Sequence, residues 1–289
     1  MPDTFRFLIA ETECHQAREK RRDSTGRSSG ETYAHTLLKL APGATCDRLA
    51  PVDPDGRHPG VGEIGGYDAV FVTGSPLHVY EDTPEVRRQL DFLGAVFRAG
   101  VPAFGSCAGL QAAVVLAGGR VRKHPHGGEA GFARRVAPTD AGLSHPMLAG
   151  RPRAFDAPAI HGDEVESLPD GATLLAGNAA TRVQAAEIRH GHGVFWGVQY
   201  HPEIDLGEVA AALRRQSDSL VRSGFARSPE EVGIQAVLVE ALGHDPSRRD
   251  LAWRLGLDEQ VTDPALRTTE LRNFIDRLVK PTMSERGRG

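Results

Sequence analysis

Cysteine, aromatic residues and long apolar runs are all scarce in this chain of 289 residues. The three cysteines, Cys14, Cys46 and Cys107, are far apart and form no C-x-x-C pair, and their odd number argues against a disulfide scaffold. We therefore expect a reducing, cytoplasmic compartment for the protein. Residues 1–6 also lack the pattern that begins a secretory signal peptide.

An excess of positive charge is missing as well. Lys and Arg number 34 against 38 Asp and Glu, which gives a net charge of -4 and a pI of about 6.3. No apolar stretch approaches the roughly 20 residues of a membrane-spanning helix. The charges in residues 13–30 have no aromatic residues among them of the kind that stack on bases. We expect neither nucleic acid nor a membrane as a partner.

The order of apolar segments predicts the fold class. Residues 67–73 and 101–104 are apolar runs suited to buried strands, and residues 85–98 between them carry apolar side chains at helical spacing. Thr83 is placed to cap this helix and Pro84 to begin it. A strand, a helix and a second strand in this order form a parallel unit with a right-handed crossover. We predict an α/β fold in which helices flank a doubly wound, mostly parallel sheet.

Local composition predicts the remaining elements. Residues 1–223 are expected to form the α/β domain, and residues 224–289 a small helical C-terminal extension. The individual predictions are strands at 5–10, 46–51 and 131–137, a solvated loop at 13–30, helices at 33–40 and 205–222, a hairpin over 183–200, three amphipathic helices within 228–280 and a disordered tail at 284–289.

One candidate nucleophile stands out. Cys107 lies between Gly105 and Gly109, after the apolar residues 101–104 and before a good helix-forming run. A reactive side chain between glycines at a strand-to-helix turn is typical of a nucleophile elbow, because the tight turn exposes the side chain. The N-terminus of the following helix favours a thiolate. A buried structural cysteine before a packed helix is the alternative, and this stretch alone does not decide between them.

His201 and Glu203 supply what a cysteine nucleophile needs. They follow the apolar run 193–198, so His201 comes at the end of a predicted strand. His201 can take the thiol proton, and Glu203 can hold the imidazole from its other nitrogen. A lone histidine there is usually an ordinary polar residue at a strand end. Combined with the elbow, the pair predicts a catalytic triad of Cys107, His201 and Glu203.

Two motifs, G-x-C-x-G-x-Q at residues 105–111 and H-P-E at residues 201–203, together resemble the class I, triad-type glutamine amidotransferases. The likeness is closest to the glutaminase domain of GMP synthase and its stand-alone relatives, and it covers residues 60–215. It implies hydrolysis of the glutamine side-chain amide through a γ-glutamyl thioester, without a metal or an organic cofactor. The chain departs from full GMP synthase because it has no S-G-G-x-D-S phosphate-binding loop and too few residues after 222 for an ATP-using domain.

The resemblance also assigns the substrate pocket. It implies that the loop at Gly74 and Ser75 supplies one backbone N–H to the oxyanion hole and Ala108 the other, although Ser75 stands where the family commonly has glycine. It implies that Gln111 helps to orient glutamine. His161 and Asp163 match a family H-G-D stretch near the glutamine pocket, but from the residues alone they could equally form a surface turn.

His124 and His126 are spaced like metal ligands, but no third ligand lies at useful spacing. The sequence therefore predicts an exposed loop there and no metal site.

Three functions remain open from the sequence. The first is a glutaminase that acts on L-glutamine and supplies ammonia to a separate synthetase subunit. The second is a stand-alone hydrolase of γ-glutamyl amines or peptides, which uses the same pocket chemistry and differs only in substrate. The third is a non-catalytic scaffold or regulatory protein. The intact set of Cys107, His201 and Glu203 argues against this third function.

Overall fold

The computed structural model describes residues 4–286, and all structural statements below concern these residues. Eleven strands are present within them, and nine form one sheet in the order β2-β1-β3-β4-β11-β10-β9-β6-β7. The strands are β1 Arg6–Ala10, β2 Thr45–Leu49, β3 Ala69–Val72, β4 Ala103–Ser106, β5 Arg120–Lys123, β6 Glu129–Pro138, β7 Phe155–His161, β8 Asp163–Ser167, β9 Ala172–Gly177, β10 Ala185–His190 and β11 Gly193–Val198.

The sheet has a parallel half and an antiparallel half. Strands β2, β1, β3, β4 and β11 pair in parallel, whereas β10, β9, β6 and β7 are added antiparallel to their neighbours. As a result only β10 and β6 run against the common direction in this sheet. The predicted doubly wound, mostly parallel α/β sheet is therefore confirmed, and so is the hairpin that leads into β11.

Helices cover both faces of the sheet. They are α1 His15–Thr25, α2 Ser29–Leu40, α3 Val61–Ile64, α4 Pro84–Ala99, α5 Ala108–Leu116, α6 Asp140–Ser144, α7 Leu206–Arg215, α8 Ser217–Arg222, α9 Pro229–His244, α10 Arg249–Leu255, α11 Glu259–Thr262, α12 Pro264–Arg267, α13 Thr269–Phe274 and α14 Lys280–Glu285. Pro146–Leu148 is a 3₁₀ turn, and Ile275–Val279 is a π-helical segment. None of the helices described for residues 4–286 is long and apolar enough to cross a bilayer.

Alternation along the strands divides the core between the two faces. On one face, Phe7 and Phe71 pack with residues of α2 and α13, and on the other, Leu8 and Val70 pack with residues of α4 and α5. This division follows from the period of two in a strand, which sends neighbouring side chains to opposite faces.

The C-terminal helices contribute to the main core. Phe274 of α13 makes ring contacts with Phe71, Phe104 and Trp196, with centroids 5.4, 5.5 and 5.8 Å away. The helical character of residues 224–289 is as predicted over the described part of this segment. The proposed boundary at residue 223 stays a prediction. Beyond it, α13 and α14 pack on one face of the sheet, whereas α9 and α10 pack against α7.

The solvated loop predicted at residues 13–30 is wrong, because α1 occupies most of it. The Arg18 side chain is buried and donates hydrogen bonds to the Glu13 carbonyl and the Asp53 carboxylate. Gly26 ends α1 with φ 77°, and Ser28 caps α2. The charges, glycine and serine that indicated a loop are thus ion-pair partners and helix boundaries.

Three C-terminal predictions also need correction. The single helix predicted at 205–222 is two helices, because Gln216, at φ -102° and ψ 11°, interrupts it. The three helices predicted within 228–280 are divided further by the short helices α11 and α12, which Asp258 and Asp263 cap. The tail predicted to be disordered from residue 284 is helical to Glu285. Residues 287–289 lie outside the described residues.

Candidate active site

Cys107 occupies a strained turn at the carboxyl end of β4. Its backbone has φ 53° and ψ -112°, and its N–H donates to the Val198 carbonyl at 2.8 Å. A Cβ at Gly109 would lie 2.6 Å from the Val72 carbonyl oxygen, and one at Gly105 would lie 2.6 Å from the Phe195 ring. Both glycines are therefore needed for the close packing of this turn, and the positive φ of a non-glycine residue is typical of a functional site.

His201 and Glu203 form an ion pair beside the elbow. His201 Nδ1 lies 2.6 Å from Glu203 Oε1, and the side chains are only 14% and 4% exposed. The His201 backbone N–H donates to the Pro158 carbonyl at 2.7 Å, which ties the loop after β11 to β7. The Nδ1 contact leaves Nε2 as the ring nitrogen available to a thiol or a leaving group.

The local electrostatics favour a charged imidazole. Burial lowers the pKa of His201, but the charge of Glu203 and a hydrogen bond with Cys107 outweigh burial and raise this pKa to about 10. An imidazolium next to a cysteine favours the thiolate. The site therefore holds a charged imidazole beside Cys107.

Helix α5 begins directly after Cys107, and the loop after β3 lies against the same residue. Ala108 is the first residue of α5, so its N–H belongs to the first turn, which has no intrahelical acceptor. Gly74 follows β3 and lies directly against His201 and Cys107, since a Cβ there would be 2.8 Å from His201 Cε1 and 3.5 Å from Cys107 Cβ. Ser75 follows Gly74 in the cleft, and its hydroxyl accepts a hydrogen bond from the Leu77 N–H.

Gly74→Ala is expected to lower kcat about a hundredfold, the usual cost of misplacing a catalytic group by about 1 Å. The added methyl group would push the His201 ring away from Cys107, whereas the fold should remain intact because only a ring edge must move. Steady-state kinetics and thermal unfolding would measure both effects. Gly62→Ala is the matched control, because nothing lies within 4 Å of its new Cβ. Equal kinetics for the two variants would contradict the placement of Gly74.

The side chains of Gln111 and Gln199 form a hydrogen-bonded pair next to Cys107. Gln111 Nε2 donates to Gln199 Oε1 at 3.1 Å and to the Asp163 carbonyl at 3.2 Å. Gln199 Nε2 in turn lies 3.5 Å from the Cys107 sulfur. The sequence analysis missed Gln199, although its position two residues before His201 at the end of β11 was a usable signal.

His161 and Asp163 are in the cleft and do not form an exposed surface turn. His161 is buried, with Nε2 2.9 Å from Glu129 Oε2. Asp163 uses both carboxylate oxygens within the protein, at 2.6 Å from His78 Nδ1 and 3.3 Å from the Tyr80 hydroxyl. Asp163 thereby joins the turn after β7 to the loop that carries Gly74.

The predicted site residues meet in one cleft of about 560 Å³. Apart from Ala108, all of those predicted line it: Gly74, Ser75, Cys107, Gln111, His161, Asp163, His201 and Glu203. Residues of α1, Lys20 and Arg21, and Arg215 of α7 also line this cleft. The sequence analysis missed this part of the cleft because it treated α1 as a loop.

The stretch 124–126 is less exposed than predicted. His124 is buried, and its Nε2 donates to the Ala180 carbonyl at 2.8 Å. Within residues 4–286, no three or more His, Cys, Asp and Glu side chains are grouped so that they could hold a metal ion.

Comparisons with known proteins identify the family of this chain. Residues 51–217 match the family model for glutamine amidotransferase class-I. A "Gamma-glutamyl-L-1-hydroxyisopropylamide hydrolase" from a Pseudomonas species is 40% identical over 224 residues, which cover 76% of this chain and 75% of that protein. A glutamine-hydrolysing GMP synthase from Thermomicrobium roseum is 28% identical over 60% of this chain, which spans only 33% of that protein's length.

The fold has solved counterparts. The crystal structure of a glutamine amidotransferase from Thermotoga maritima matches with a TM-score of 0.64 at 17% identity, over 95% of this chain and 98% of that one. A second glutamine amidotransferase structure, from Methylobacillus flagellatus, gives 0.61 at 17% identity, over 97% and 95%. These likenesses concern the fold alone. Because the family model spans more than half of its length, this chain belongs to the class I glutamine amidotransferases, a family of enzymes.

Proposed function

We propose that the protein hydrolyses a γ-glutamyl amide bond through the triad of Cys107, His201 and Glu203. The observation that carries the proposal is the 2.6 Å pair of His201 and Glu203, beside a cysteine held at φ 53° on the floor of a cleft. A nucleophile, a base and a group that orients the base are the minimum set for covalent acyl transfer. The reaction needs water and no metal or organic cofactor.

Acylation uses the charge arrangement of the site. The Cys107 thiolate attacks the amide carbonyl carbon, and the negative charge moves to the carbonyl oxygen, which the N–H groups of Ser75 and Ala108 stabilise. His201 then donates its Nε2 proton to the amide nitrogen as the carbon–nitrogen bond breaks. The products of this half-reaction are a free amine, or ammonia from glutamine, and a γ-glutamyl thioester on Cys107.

Deacylation reverses the role of the imidazole. Neutral His201 takes a proton from water, and the resulting hydroxide attacks the thioester carbonyl. The sulfur leaves as a thiolate beside the imidazolium, which restores the starting pair, and glutamate departs. Glu203 keeps the Nδ1 proton of His201 in place throughout and is not itself protonated.

The cleft favours γ-glutamyl amides larger than glutamine as substrates. His201 must reach the departing nitrogen, so the amine portion lies beside His201, in a cleft that residues of α1 and α7 also line. The relative from Pseudomonas is named for hydrolysis of such a larger amide, and this chain covers 75% of that protein. By contrast, the chain spans a third or less of the GMP synthases that it matches.

A buried carboxylate in the cleft indicates the chemistry of the amine portion. Glu13 lines the cleft and is 8% exposed, and within residues 4–286 its Oε2 has no hydrogen-bond partner. The charge of Glu13 interacts with Arg215, but a buried oxygen without a hydrogen bond is costly, so a substrate group that donates one to Oε2 would compensate it. A hydroxyl group on the amine portion fits this requirement.

A substrate panel tests the proposal. Glutamine, γ-glutamyl isopropylamide and its hydroxylated analogue would be given to the wild-type protein and Cys107→Ala, and glutamate release would be measured. We expect kcat/KM to rise about tenfold or more from glutamine to the larger amides, because filling a pocket that glutamine leaves empty is worth that much. The hydroxylated amide should be the best substrate. Release that does not depend on Cys107 would refute the triad.

An ammonia-supplying glutaminase is the second candidate, and the matches to the glutamine-hydrolysing GMP synthases support it. In that case glutamine would be preferred over every larger amide in the panel, and a separate synthetase subunit would stimulate its hydrolysis. A preference for larger amides would eliminate this candidate.

The rate is expected to hold through neutral pH and to fall as the pH rises through about 10, where His201 loses its proton. The pKa of His201 is raised above its ordinary value of 6.5, so the imidazole of the folded protein stays charged through neutral pH. Its contribution to folding stability is complete below pH 6.5 and is lost as the pH rises to about 10. A pH profile of kcat/KM would measure this limb, and an acidic shift of the limb in a Glu203→Gln variant would identify its origin.

A further inference from the structure

The second oxygen of Glu203 has a partner that the triad does not use. Glu203 Oε1 contacts His201, while Oε2 lies 2.8 Å from Ser106 Oγ. Ser106 Oγ is also hydrogen-bonded to the Tyr33 hydroxyl. A chain of hydrogen bonds thus runs from α2 through the residue before the nucleophile to the carboxylate that holds the catalytic imidazole.

The chemistry of the groups fixes the direction of this chain. A carboxylate paired with an imidazolium can only accept, so the Ser106 hydroxyl donates to Glu203. The Ser106 oxygen then accepts from the Tyr33 hydroxyl. Burial, together with the charge of Glu203, raises the pKa of Tyr33 well above its ordinary value, which keeps the phenol protonated as this donor.

Burial and a second anchor make the arrangement rigid. Tyr33 and Ser106 are both fully buried, and Glu203 is 6% exposed. Thr36, one turn after Tyr33 in α2, donates from its hydroxyl to the Glu203 backbone carbonyl at 3.1 Å. Helix α2 therefore supports the Glu203 backbone through Thr36 and the Glu203 side chain through Tyr33 and Ser106, and neither Tyr33 nor Thr36 is among the residues that line the cleft.

We propose that Ser106 and Tyr33 are positioning residues that hold the Glu203 carboxylate toward His201 and so sustain the thiolate–imidazolium pair. The inference rests on the proposed function, because it assigns these residues to the same triad. Ser106 acts on Glu203 directly, and Tyr33 acts only through Ser106. No bond of the substrate is made or broken at either residue.

The Ser106→Ala variant tests the hydrogen bond that Ser106 donates directly to Glu203. We expect kcat to fall about ten- to hundredfold, the effect of one hydrogen bond to a charged group, with little change in KM. The alkaline limb of the pH profile should move to lower pH. The titratable groups against His201 are Glu203 and Cys107, and a Glu203 carboxylate that is less well held supports the imidazolium less. A role limited to folding would leave this limb in place.

Tyr33→Phe and the double variant test the order of the chain. Tyr33→Phe keeps the ring contact with Phe71, at 6.0 Å between centroids, and should lower kcat a few-fold because Ser106 can still donate. Added to Ser106→Ala, it should lower kcat no further, since Tyr33 then has no route to Glu203. It should also raise the stability of Ser106→Ala by removing an unpaired buried hydroxyl. Multiplying losses in kcat would overturn the proposed order.

Matched controls and a substrate-free readout complete the design. Tyr67→Phe removes a hydroxyl that bonds Asp47, and Ser144→Ala removes an exposed hydroxyl; both should leave kcat unchanged. Alkylation of Cys107 by iodoacetamide at neutral pH, located by peptide mapping, should slow in Ser106→Ala by a factor similar to that in kcat. If the wild type hydrolyses no γ-glutamyl amide, the proposed function fails, and this alkylation rate still tests the positioning role. Unchanged alkylation in Ser106→Ala would refute the positioning role.

Discussion

Cys107→Ala is expected to remove hydrolysis of every γ-glutamyl amide, with a fall in kcat of about 10⁴-fold or more. The reason is that acylation forms a bond to this sulfur, and neither His201 nor the oxyanion hole can replace it. The fold should persist, since only one buried sulfur atom is lost and alanine meets the same backbone strain at φ 53°. Steady-state kinetics and far-UV circular dichroism would measure both effects.

Cys14→Ala is the control for this prediction. Cys14 lines the same cleft but belongs to the loop before α1, at a distance in the chain from the elbow. We expect nearly wild-type turnover from this variant. Mass spectrometry after rapid quenching should find the γ-glutamyl adduct on the peptide that contains Cys107 and on neither of the other cysteine peptides. An adduct on Cys14 would show that Cys14, and not Cys107, is the nucleophile.

Glu270→Ala is expected to reduce the free energy of unfolding by about 3–5 kcal/mol. Glu270 and Arg151 form a bidentate pair with distances of 2.7 and 2.8 Å, and their side chains are 0% and 1% exposed. The Tyr200 hydroxyl also donates to Glu270 at 2.9 Å. Removal of the carboxylate leaves an uncompensated guanidinium in the interior, and urea denaturation followed by fluorescence would measure the cost.

Glu240→Ala is the control, because its pair with Arg214 has both side chains 40% exposed. Screening by water limits the expected loss there to less than about 1 kcal/mol. A third variant that combines Glu270→Leu with Arg151→Met should recover part of the loss in stability, since no buried charge is then left unpaired. Equal losses for Glu270→Ala and Glu240→Ala would show that the buried pair contributes no more than a surface pair.

The same pair connects the C-terminal helices to the active site. Glu270 is the second residue of α13, and Tyr200 precedes His201, so the buried cluster joins residues beyond 223 to the loop that carries His201. We therefore expect Glu270→Ala to lower kcat as well as stability. This connection gives the C-terminal segment a structural role as part of the sheet's cover and as a support for the histidine loop.

Much of the fold, and the three candidate triad residues, could be predicted from local sequence patterns. The strand before Cys107, the glycines around it and the helix after it are neighbours in the chain, so short-range patterns predict them. Glu203 comes two residues after His201, so their pairing could likewise be predicted from the local sequence. The cap at Thr83 and the hairpin into β11 were likewise local, and the structure has both.

The features that depend on residues far apart in the chain could be identified only from the folded structure. Arg18 pairs with Asp53, 35 residues away, and this pairing stabilises α1 where local composition indicated a loop. Ser106 meets Glu203 across 97 residues and Tyr33 across 73, and Glu270 meets Arg151 across 119. Short local patterns identify the residues proposed to do the chemistry, and the periodic burial of apolar residues identifies the strands and helices that carry them. The polar residues that hold them in place are visible only in the folded structure, because hydrogen bonds between residues far apart in the chain leave no local pattern in the sequence.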